Sequence, residues 1–220
     1  MTKTLLVDGN NLMKIGFHGV KDYYHNGKHI GGIWHFLNTL RRFIEEQNFD
    51  KVIVFWDGED SSSTRKLIYP QYKGNRNQVP NEPKDESFNY QKQRVKQYVE
   101  EMFIRQVDIN KNEADDLIAY YCQIALDENI TIFSGDMDLT QLISKTVSVY
   151  SPRVKQTYKD GDRIKVQEYW IPHYNIKTYK ILAGDKSDNI PGVPGVGDKT
   201  AASLLADYGT LDNLYAHLGE

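Results

Sequence analysis

The segment KNEADDLIAYY, residues 111–121, places Glu113, Asp115 and Asp116 within one helical turn, just ahead of an apolar run. Like charges at this spacing destabilise a helix. Helix capping explains part of the pattern, because Asn112 at the N-cap and acids in the first turn complement the helix dipole. That accounts for one or two of the charges. The remaining acid needs either full exposure to solvent or a bound cation.

Six further acids occur in four other places along the chain. Asp8 follows the apolar run TLLV, and Asp57 follows VIVFW. Asp136 and Asp138 follow ITIFSG in the same way, and the other two acids precede a Gly/Pro turn in GDKSDNIPG. Short β-rich runs without alternation suit a parallel sheet covered on both faces, and ligands bind at the carboxyl ends of its strands. Three predicted strands therefore each deliver aspartate to one edge.

Nine carboxylates that share a cleft cannot all be ionised without cations. No histidine or cysteine accompanies them, and all-oxygen ligands indicate a hard cation, Mg²⁺ or Mn²⁺, rather than zinc. Two such ions about 3.5–4 Å apart form a centre for phosphodiester cleavage. The predicted metal ligands are Asp8, Asp57, Glu113, Asp115, Asp116, Asp136, Asp138, Asp185 and Asp188.

The elements that must position these acids alternate between strand and helix. Residues 31–47, GGIWHFLNTLRRFIEEQ, carry apolar side chains at helical spacing between the first two strands. The helix that follows Asn112 lies between the second strand and the third. This alternation predicts an α/β fold with a parallel-rich central sheet flanked by helices.

Two segments depart from that alternation. Residues 60–89 are polar, basic and proline-punctuated, which favours a long insertion or mobile loop, partly helical and either functional or disordered, before a helix over about residues 90–103. The segment GDKSDNIPGVPGVGDKTAASLL predicts a helix-hairpin-helix whose second helix begins near Asp198. Backbone amides at such a helix start can hold a phosphate without reading bases.

The overall charge fits a DNA-binding protein once the nine predicted metal ligands are left out of the count. The 220 residues suit one sizeable domain, or one with a small appendage. The formal net charge is −3, but without the nine predicted ligands 21 acidic residues remain against 27 basic ones, so the rest of the protein is cationic. A single cysteine excludes an internal disulfide, and we expect a cytoplasmic protein because no signal-peptide or membrane-length apolar pattern occurs.

Six motifs in family order resemble the 5′-nuclease (flap endonuclease) family over nearly the whole chain. This family includes the 5′–3′ exonuclease domain of bacterial DNA polymerase I and free-standing phage flap endonucleases. The motifs are LLVDGNNL, VFWDG, RKLIYPQYKGNR, NEADDLIA, GDMDLTQL and GDKSDNIPGVPGVGDKTAASLL. The resemblance implies a PIN-like nuclease core over residues 1–170, with a helical arch at about 60–105. It also implies a helix-hairpin-helix DNA-binding region over residues 171–220.

The resemblance implies a role for individual residues. One metal site would use Asp8, Asp57, Glu113 and Asp115, with Asp116 bridging or holding waters, and the second would use Asp136, Asp138, Asp185 and Asp188. In the arch, Lys73 and Arg76 would contact the scissile phosphate, Arg65 would support them, and Tyr72 would be available to stack on a base. The hairpin would grip duplex DNA through the amides of Gly195, Gly197, Lys199 and Thr200, around a K⁺ ion at Val193 and Val196.

The implied activity is metal-dependent 5′–3′ exonuclease and flap endonuclease cleavage of DNA in replication or repair, with RNA-primer removal also possible. Its partner would be DNA with a 5′ flap, 5′ overhang or nick, or an RNA–DNA hybrid, bound by a monomer in the cytosol of a bacterium or phage-infected cell. A PIN-type ribonuclease is the alternative enzyme, and a DNA-binding relative without catalysis is the alternative of another class. Lys92, Arg94 and Lys96 are interpreted as a solvated helix face.

Overall fold

The computed structural model describes residues 1–76 and 83–217. Its strands are β1 (Thr2–Asp8), β2 (Tyr24–His25), β3 (Lys28–His29), β4 (Lys51–Phe55), β5 (Arg105–Val107), β6 (Glu128–Phe133), β7 (Val147–Ser151), β8 (Gln156–Tyr158), β9 (Arg163–Val166), β10 (Tyr169–Pro172), β11 (Gly184–Asp185) and β12 (Ile190–Pro191). Its α-helices are α1 (Gly9–Gly19), α2 (Gly31–Gln47), α3 (Ser63–Ile68), α4 (Pro83–Glu101), α5 (Ala114–Ile124), α6 (Ile176–Ala183), α7 (Asp198–Tyr208) and α8 (Leu211–Ala216). Short 3₁₀ helices cover Gly74–Arg76, Met137–Leu142 and His173–Asn175.

A six-stranded sheet in the order β5-β4-β1-β6-β7-β8 forms the centre of the protein. Its neighbouring strands pair in parallel, except that β7 and β8 are antiparallel. The central strand β1 lies between β4 and β6, with Asp8 beside Phe55 and Val7 beside Phe133. The predicted α/β fold with a parallel-rich sheet is confirmed, and the three predicted strands that lead to acids are adjacent.

Helices cover both faces of this sheet. Side chains of β1 alternate, so Leu5 and Val7 pack under α1, α2 and α4, while Leu6 packs under α5 on the opposite face. All three side chains are fully buried. Burial on both faces explains why the strand reads as a continuous apolar run.

A separate hydrophobic cluster stabilises the C-terminal region. The β9–β10 hairpin, α6 and α7 contribute buried side chains to it, including Ile171, Leu182 and Leu205. Helix α6 leads through a turn into α7, which begins at Asp198 as the helix-hairpin-helix pattern predicts.

The described part of the predicted arch region contains two α-helices, and the second covers more residues than expected. It contains the short helix α3, and α4 begins at Pro83 rather than near residue 90 and ends at Glu101. Residues 77–82 of the predicted arch lie outside the described residues. Over residues 1–76 and 83–217, the helices lack the combination of length and apolar character that spanning a membrane requires.

Close packing at the start of α1 makes a stability prediction. A Cβ added at Gly9 would lie 2.6 Å from the ring of Trp56, which is fully buried and cannot move aside. We expect Gly9→Ala to lower the free energy of unfolding by about 1–3 kcal/mol through overpacking. Gly19→Ala in the same helix is the control, because its Cβ would meet no atom within 4 Å. Urea unfolding of both variants checks this, and equal stability would contradict the packing argument.

Candidate active site

Asp8 and Asp57, at the carboxyl ends of β1 and β4, anchor the two helices that begin beside them. Asp8 Oδ1 accepts a hydrogen bond of 2.9 Å from Asn11 N and therefore caps α1. Asp57 Oδ1 accepts a 2.9 Å bond from Ala114 N, the first residue of α5. The strand ends and helix starts are thus joined through the predicted metal ligands themselves.

The buried side chain of Asp8 has a raised pKa. Burial raises its pKa to about 6, and the nearby Asp136 and Asp57 add to that rise against hydrogen bonds from Asn11 and Ser134. Its second oxygen accepts a 2.9 Å hydrogen bond from Ser134 Oγ. A buried carboxyl with this pKa favours additional positive charge nearby.

The start of α5 differs from the sequence-based prediction. We expected Asn112 at the N-cap, and this is wrong, because Glu113 occupies the N-cap position and the helix begins at Ala114. Asn112 instead donates a 2.9 Å side-chain hydrogen bond to Asn110 O. Asp57, which follows β4, instead accepts the hydrogen bond from the first amide of α5. The local sequence around α5 does not reveal this partner.

Two cations from the predicted arch pair with the acids at the start of α5. Arg65 forms ion pairs with Glu113 and with Asp116, the latter at 2.8 Å, and its guanidinium lies 3.8 Å from Asp115. Lys73 Nζ lies 2.8 Å from both oxygens of Glu113. The pKa of Glu113 is lowered, since Lys73 and Arg65 outweigh the effect of burial. Burial raises the pKa of Asp115 to about 7, although Arg65 opposes this.

Tyr72 does not offer its ring to a base in this structure. We expected it to be available for stacking, but only 4% of its surface is exposed. Its hydroxyl donates to Asp188 Oδ2 at 3.0 Å and lies 3.1 Å from Glu113 Oε2. Tyr72 therefore joins α5 to the loop that carries the last two acids. The side chain of Arg76, the other predicted arch residue, lies outside the described part of the chain.

A second group of acids surrounds Lys180. The acids were predicted from the sequence, but this lysine was not. Lys180 Nζ lies 2.5 Å from Asp138 Oδ2 and 2.6 Å from Asp185 Oδ2. The pKa of Asp185 is lowered because Lys180 and Ser187 outweigh burial, whereas burial and Asp136 keep that of Asp138 raised. Lys180 lies on α6 five residues before Asp185, so the local sequence could point to that acid but not to Asp138, which is 42 residues away.

The two acid groups face a common cleft of about 670 Å³. Residues that line it include Arg65, Asp115, Asp138, Lys180 and Asp185. Asp136 lies beside Asp138, to whose amide it accepts a 2.9 Å hydrogen bond. Four of the predicted ligands therefore line this cleft, namely Asp115, Asp138, Asp185 and Asp188, whereas Asp8, Asp57, Glu113, Asp116 and Asp136 are not among its lining residues.

These acids have the chemistry of a hard-cation site but are not arranged as a closed one. Across residues 1–76 and 83–217, no three acidic, histidine or cysteine side chains are arranged to hold a metal ion. Instead Arg65, Lys73 and Lys180 lie among them. The donor set consists of carboxylate oxygens, and the raised pKa values of Asp8 and Asp115 indicate charge that these three cations leave uncompensated. The residues thus fit Mg²⁺ or Mn²⁺ by their chemistry.

The helix-hairpin-helix presents an exposed helix start. Gly197 occupies the N-cap of α7 and has no side chain to accept from the first-turn amides of Lys199 and Thr200. The Asp198 carboxylate turns towards Lys186 at 2.7 Å and Tyr179 at 3.1 Å. The carbonyl of Val193 accepts from Val196 N at 3.0 Å within the hairpin turn.

Two family models together match residues 3–220 of the chain. Residues 3–170 match the 5′-3′ exonuclease N-terminal resolvase-like domain, and residues 171–220 match the 5′-3′ exonuclease C-terminal SAM fold. The chain belongs to the 5′-3′ exonuclease family. The expectation of a 5′-nuclease is therefore confirmed at the level of the family, and the chain is a nuclease-family enzyme.

Individual 5′-3′ exonuclease relatives agree with this. A 5′-3′ exonuclease of Halalkalibacterium halodurans is 36% identical, with 97% of this chain and 73% of the relative covered. The thermostable DNA polymerase I of Thermus thermophilus is 31% identical over 99% of this chain, which spans only 25% of that protein. A bacteriophage T5 flap endonuclease, solved in a complex with DNA and metal ions, superposes with a TM-score of 0.72 at 23% identity, covering 99% of this chain and 79% of that one. At that identity the likeness shows the fold.

The burial of Asp8 predicts that this 5′-3′ exonuclease gains stability when the charge is removed. An unfolded aspartate has a pKa of about 3.9. The folded pKa is about 6, so the folded protein binds more protons between these values and stability falls as pH rises through them. We expect Asp8→Asn, which preserves a capping oxygen, to raise the free energy of unfolding by about 1–3 kcal/mol at pH 7 in EDTA.

Urea unfolding of Asp8→Asn at two pH values measures this. The difference from the unaltered protein should shrink to less than about 0.5 kcal/mol at pH 4, where Asp8 is already protonated in the fold. A variant that is less stable at pH 7, or equally altered at both pH values, would contradict the assignment of a strained buried charge.

Lys180 provides a second prediction, about metal-free stability. We expect Lys180→Ala to cost about 1–2 kcal/mol in EDTA, below the 3–5 typical of breaking a fully buried pair, because its side chain is 31% exposed. Added Mg²⁺ should recover most of this loss by compensating Asp138 and Asp185. Lys177→Ala is the control, since Lys177 lies exposed on the same helix and lines the same cleft. Equal losses for both variants would contradict the pairing role.

Proposed function

We propose that this protein is a divalent-metal-dependent, structure-specific 5′ nuclease that cleaves DNA phosphodiesters near a 5′ end. It acts as 5′–3′ exonuclease and flap endonuclease, leaving a 5′-phosphate and a 3′-hydroxyl. The observation that carries this proposal is the convergence of acids at the carboxyl edge of three adjacent parallel strands, at the start of α5 and in the loop after α6, beside a cleft lined by Asp115, Asp138 and Asp185 and by the cations Arg65 and Lys180.

The metal part of the proposal rests on charge. The carboxylates of Asp8, Asp57, Glu113 and Asp115 would hold one ion, with Asp116 bridging or holding its waters, and those of Asp136, Asp138, Asp185 and Asp188 would hold another. When bound, Mg²⁺ ions activate a water for attack and compensate the charge that develops on the phosphate. Mn²⁺ has the same preference for oxygen ligands and would substitute.

The cations of the predicted arch have a different task. Lys73 and Arg65 pair with Glu113, so both are already positioned beside the predicted reaction centre. Once Glu113 is otherwise neutralised, Lys73 can donate to a phosphate oxygen and stabilise its charge. Arg76 would contact the same phosphate, and Arg65 would orient the pair.

The helix-hairpin-helix would hold the duplex part of the substrate. The exposed amides of Gly195, Gly197, Lys199 and Thr200 suit a phosphate at the start of α7. A K⁺ ion held by the main-chain carbonyls of Val193 and Val196 is part of this proposal. The substrate is then DNA with a 5′ flap, overhang or nick, or an RNA–DNA hybrid, and the site of action is the cytoplasm of a bacterium or phage-infected cell.

Support for this reading comes also from the relatives. One carries the name 5′-3′ exonuclease, and another is a DNA polymerase I of which this chain matches a quarter. The alternative, a PIN-type ribonuclease, would share acids at strand ends but would not need the helix-hairpin-helix formed by α6 and α7. Substrate choice therefore separates the two readings.

Cleavage of a 5′-labelled flap duplex with Mg²⁺, beside a single-stranded RNA of matched sequence, tests the proposal. We expect incision at the flap junction that stops with EDTA. Asp57→Asn should lower the cleavage rate by at least about a thousandfold while preserving an acceptor for Ala114 N and leaving DNA binding within a few-fold. Asp127→Asn is the control, since this exposed acid lies before β6, away from the carboxyl edge.

Three results would count against the assignment. Cleavage of the RNA alone would favour the PIN-type ribonuclease. Tight flap binding without cleavage would favour a DNA-binding relative without catalysis. Unchanged turnover in a folded Asp57→Asn protein would remove Asp57 from the proposed metal site.

A further inference from the structure

A cavity of about 400 Å³ lies at the amino edge of the central sheet, opposite to the edge that carries the acids. Asn129 and Val147, at the starts of β6 and β7, line it together with Lys3 of β1. Lys3 and Asp8 are five residues apart on β1, which separates them by about 17 Å. The cavity shares no lining residue with the cleft around Lys180. It is therefore a separate site, with a volume that suits a small ligand.

The floor of this cavity is a part of the sheet that carries hydroxyl groups instead of apolar side chains. Helix α2 covers the neighbouring part, where Phe43 packs against Phe133 and Tyr150 with ring centroids 4.9 and 4.4 Å away. Two positions earlier on the same strands, Thr131 and Ser148 are partners across β6 and β7, and their hydroxyl oxygens lie 3.3 Å apart. Alternate residues of a strand point to the same face, so these hydroxyls continue the face that α2 covers. The other hydroxyl groups of the lining belong to Ser144, Thr146 and Thr157.

Three lysines from separate segments line the same cavity. Lys3 belongs to β1, Lys145 lies in the turn before β7, and Lys159 follows β8. Within residues 1–76 and 83–217, none of the three has a carboxylate oxygen within 4.0 Å of its ammonium group. Among the described lining residues the only acid is Asp160, whose Oδ1 lies 3.7 Å from His173 Nε2. Three ammonium groups against one carboxylate favour an anionic ligand.

An aromatic wall adds a surface for a flat group. Phe49, which follows α2, lines the cavity and is partly exposed. It stacks on the buried Phe43 with ring centroids 5.7 Å apart, and Phe43 is itself packed against the core. A ring that its neighbours already hold in place can stack on a nucleobase at little cost in conformational entropy.

We infer that this cavity binds a nucleoside phosphate. The lysines supply the charge for the phosphate, the hydroxyls can donate to and accept from the sugar, and Phe49 offers a face to the base. The inference goes beyond the proposed function, because the cavity lies outside the predicted metal centre. Two sources supply this chemistry, namely the 5′-mononucleotides that exonuclease cleavage would release and the nucleoside triphosphates of the cell.

Isothermal titration calorimetry of the full chain in EDTA tests the inference, with dAMP as the probe. We expect dAMP to bind with a Kd below about 1 mM. Deoxyadenosine and inorganic phosphate should each bind at least about tenfold more weakly, because each lacks one of the two sets of contacts. The same titration with dATP identifies the source, since the tighter of the two nucleotides is the ligand that the cavity fits.

Two variants that each remove one charge from the cavity locate the bound nucleotide. We expect Lys145→Gln and Lys159→Gln each to weaken dAMP binding about threefold to tenfold. Both lysines are exposed, and either variant carries the test if the other does not fold. Lys165→Gln is the matched control, because Lys165 is an exposed lysine of β9 that does not line the cavity. Lys177→Gln is the second control, because it removes an exposed lysine from the cleft around Lys180. Both controls should bind dAMP as the unaltered protein does.

Four results would overturn the inference. They are the absence of dAMP binding to folded protein, equal losses in Lys145→Gln and Lys165→Gln, a loss confined to Lys177→Gln, and equal affinities for dAMP and inorganic phosphate. The binding measurement uses neither DNA nor a metal ion. Its failure would therefore leave the proposed nuclease function intact, and a failure of flap cleavage would leave the nucleotide site intact.

Discussion

Repulsion between carboxylates at the carboxyl edge of the sheet is the constraint on which the rest of the site depends. The structure compensates the charge of some of these carboxylates and not of others. Glu113 and Asp185, which pair with Lys73 and Lys180, have lowered pKa values, whereas burial raises those of Asp8 and Asp115. Protein cations therefore stabilise one subset of the acids and leave another short of positive charge. The acids that remain short mark where a bound cation gains most from this fold.

Hydrogen bonds next to these ion pairs connect segments that are far apart in the chain. Lys73 N donates to Asp188 O at 2.9 Å, and Asn189 Nδ2 donates to Gln71 O at 2.8 Å. Asn75 Nδ2 adds a 2.8 Å bond to Lys186 O. The beginning of the predicted arch is thus bonded to the loop between the sheet domain and α7. An altered charge at the acids would act on the arch as well, because Tyr72 and Lys73 take part in both sets of contacts.

Local patterns in the sequence predicted the strands, helices and hairpin but not the partners of individual side chains. The apolar runs before Asp8 and Asp57 and the Gly/Pro turn before Asp198 are properties of neighbouring residues, so strands and hairpin could be predicted. Lys180 and the capping of α5 could not, because each depends on atoms brought together by the fold. Lys180 reaches Asp138, 42 residues away, and Asp57 caps a helix 57 residues later. A lysine on a helix gives no sign of which acid it will meet.

Trp56 shows how closely packing and charge are joined in this protein. Its ring lies against the start of α1, where Gly9 follows Asp8, and it stacks on Phe36 with ring centroids 5.7 Å apart. Its Nε1 donates to Gln106 at 2.8 Å, which fixes the ring from the side of β5. Asp57 follows it directly, and Lys92 and Lys96 lie over its face. One buried side chain therefore packs beside two predicted metal ligands and below two lysines, so a change in core packing here would act on the acids and the lysines together.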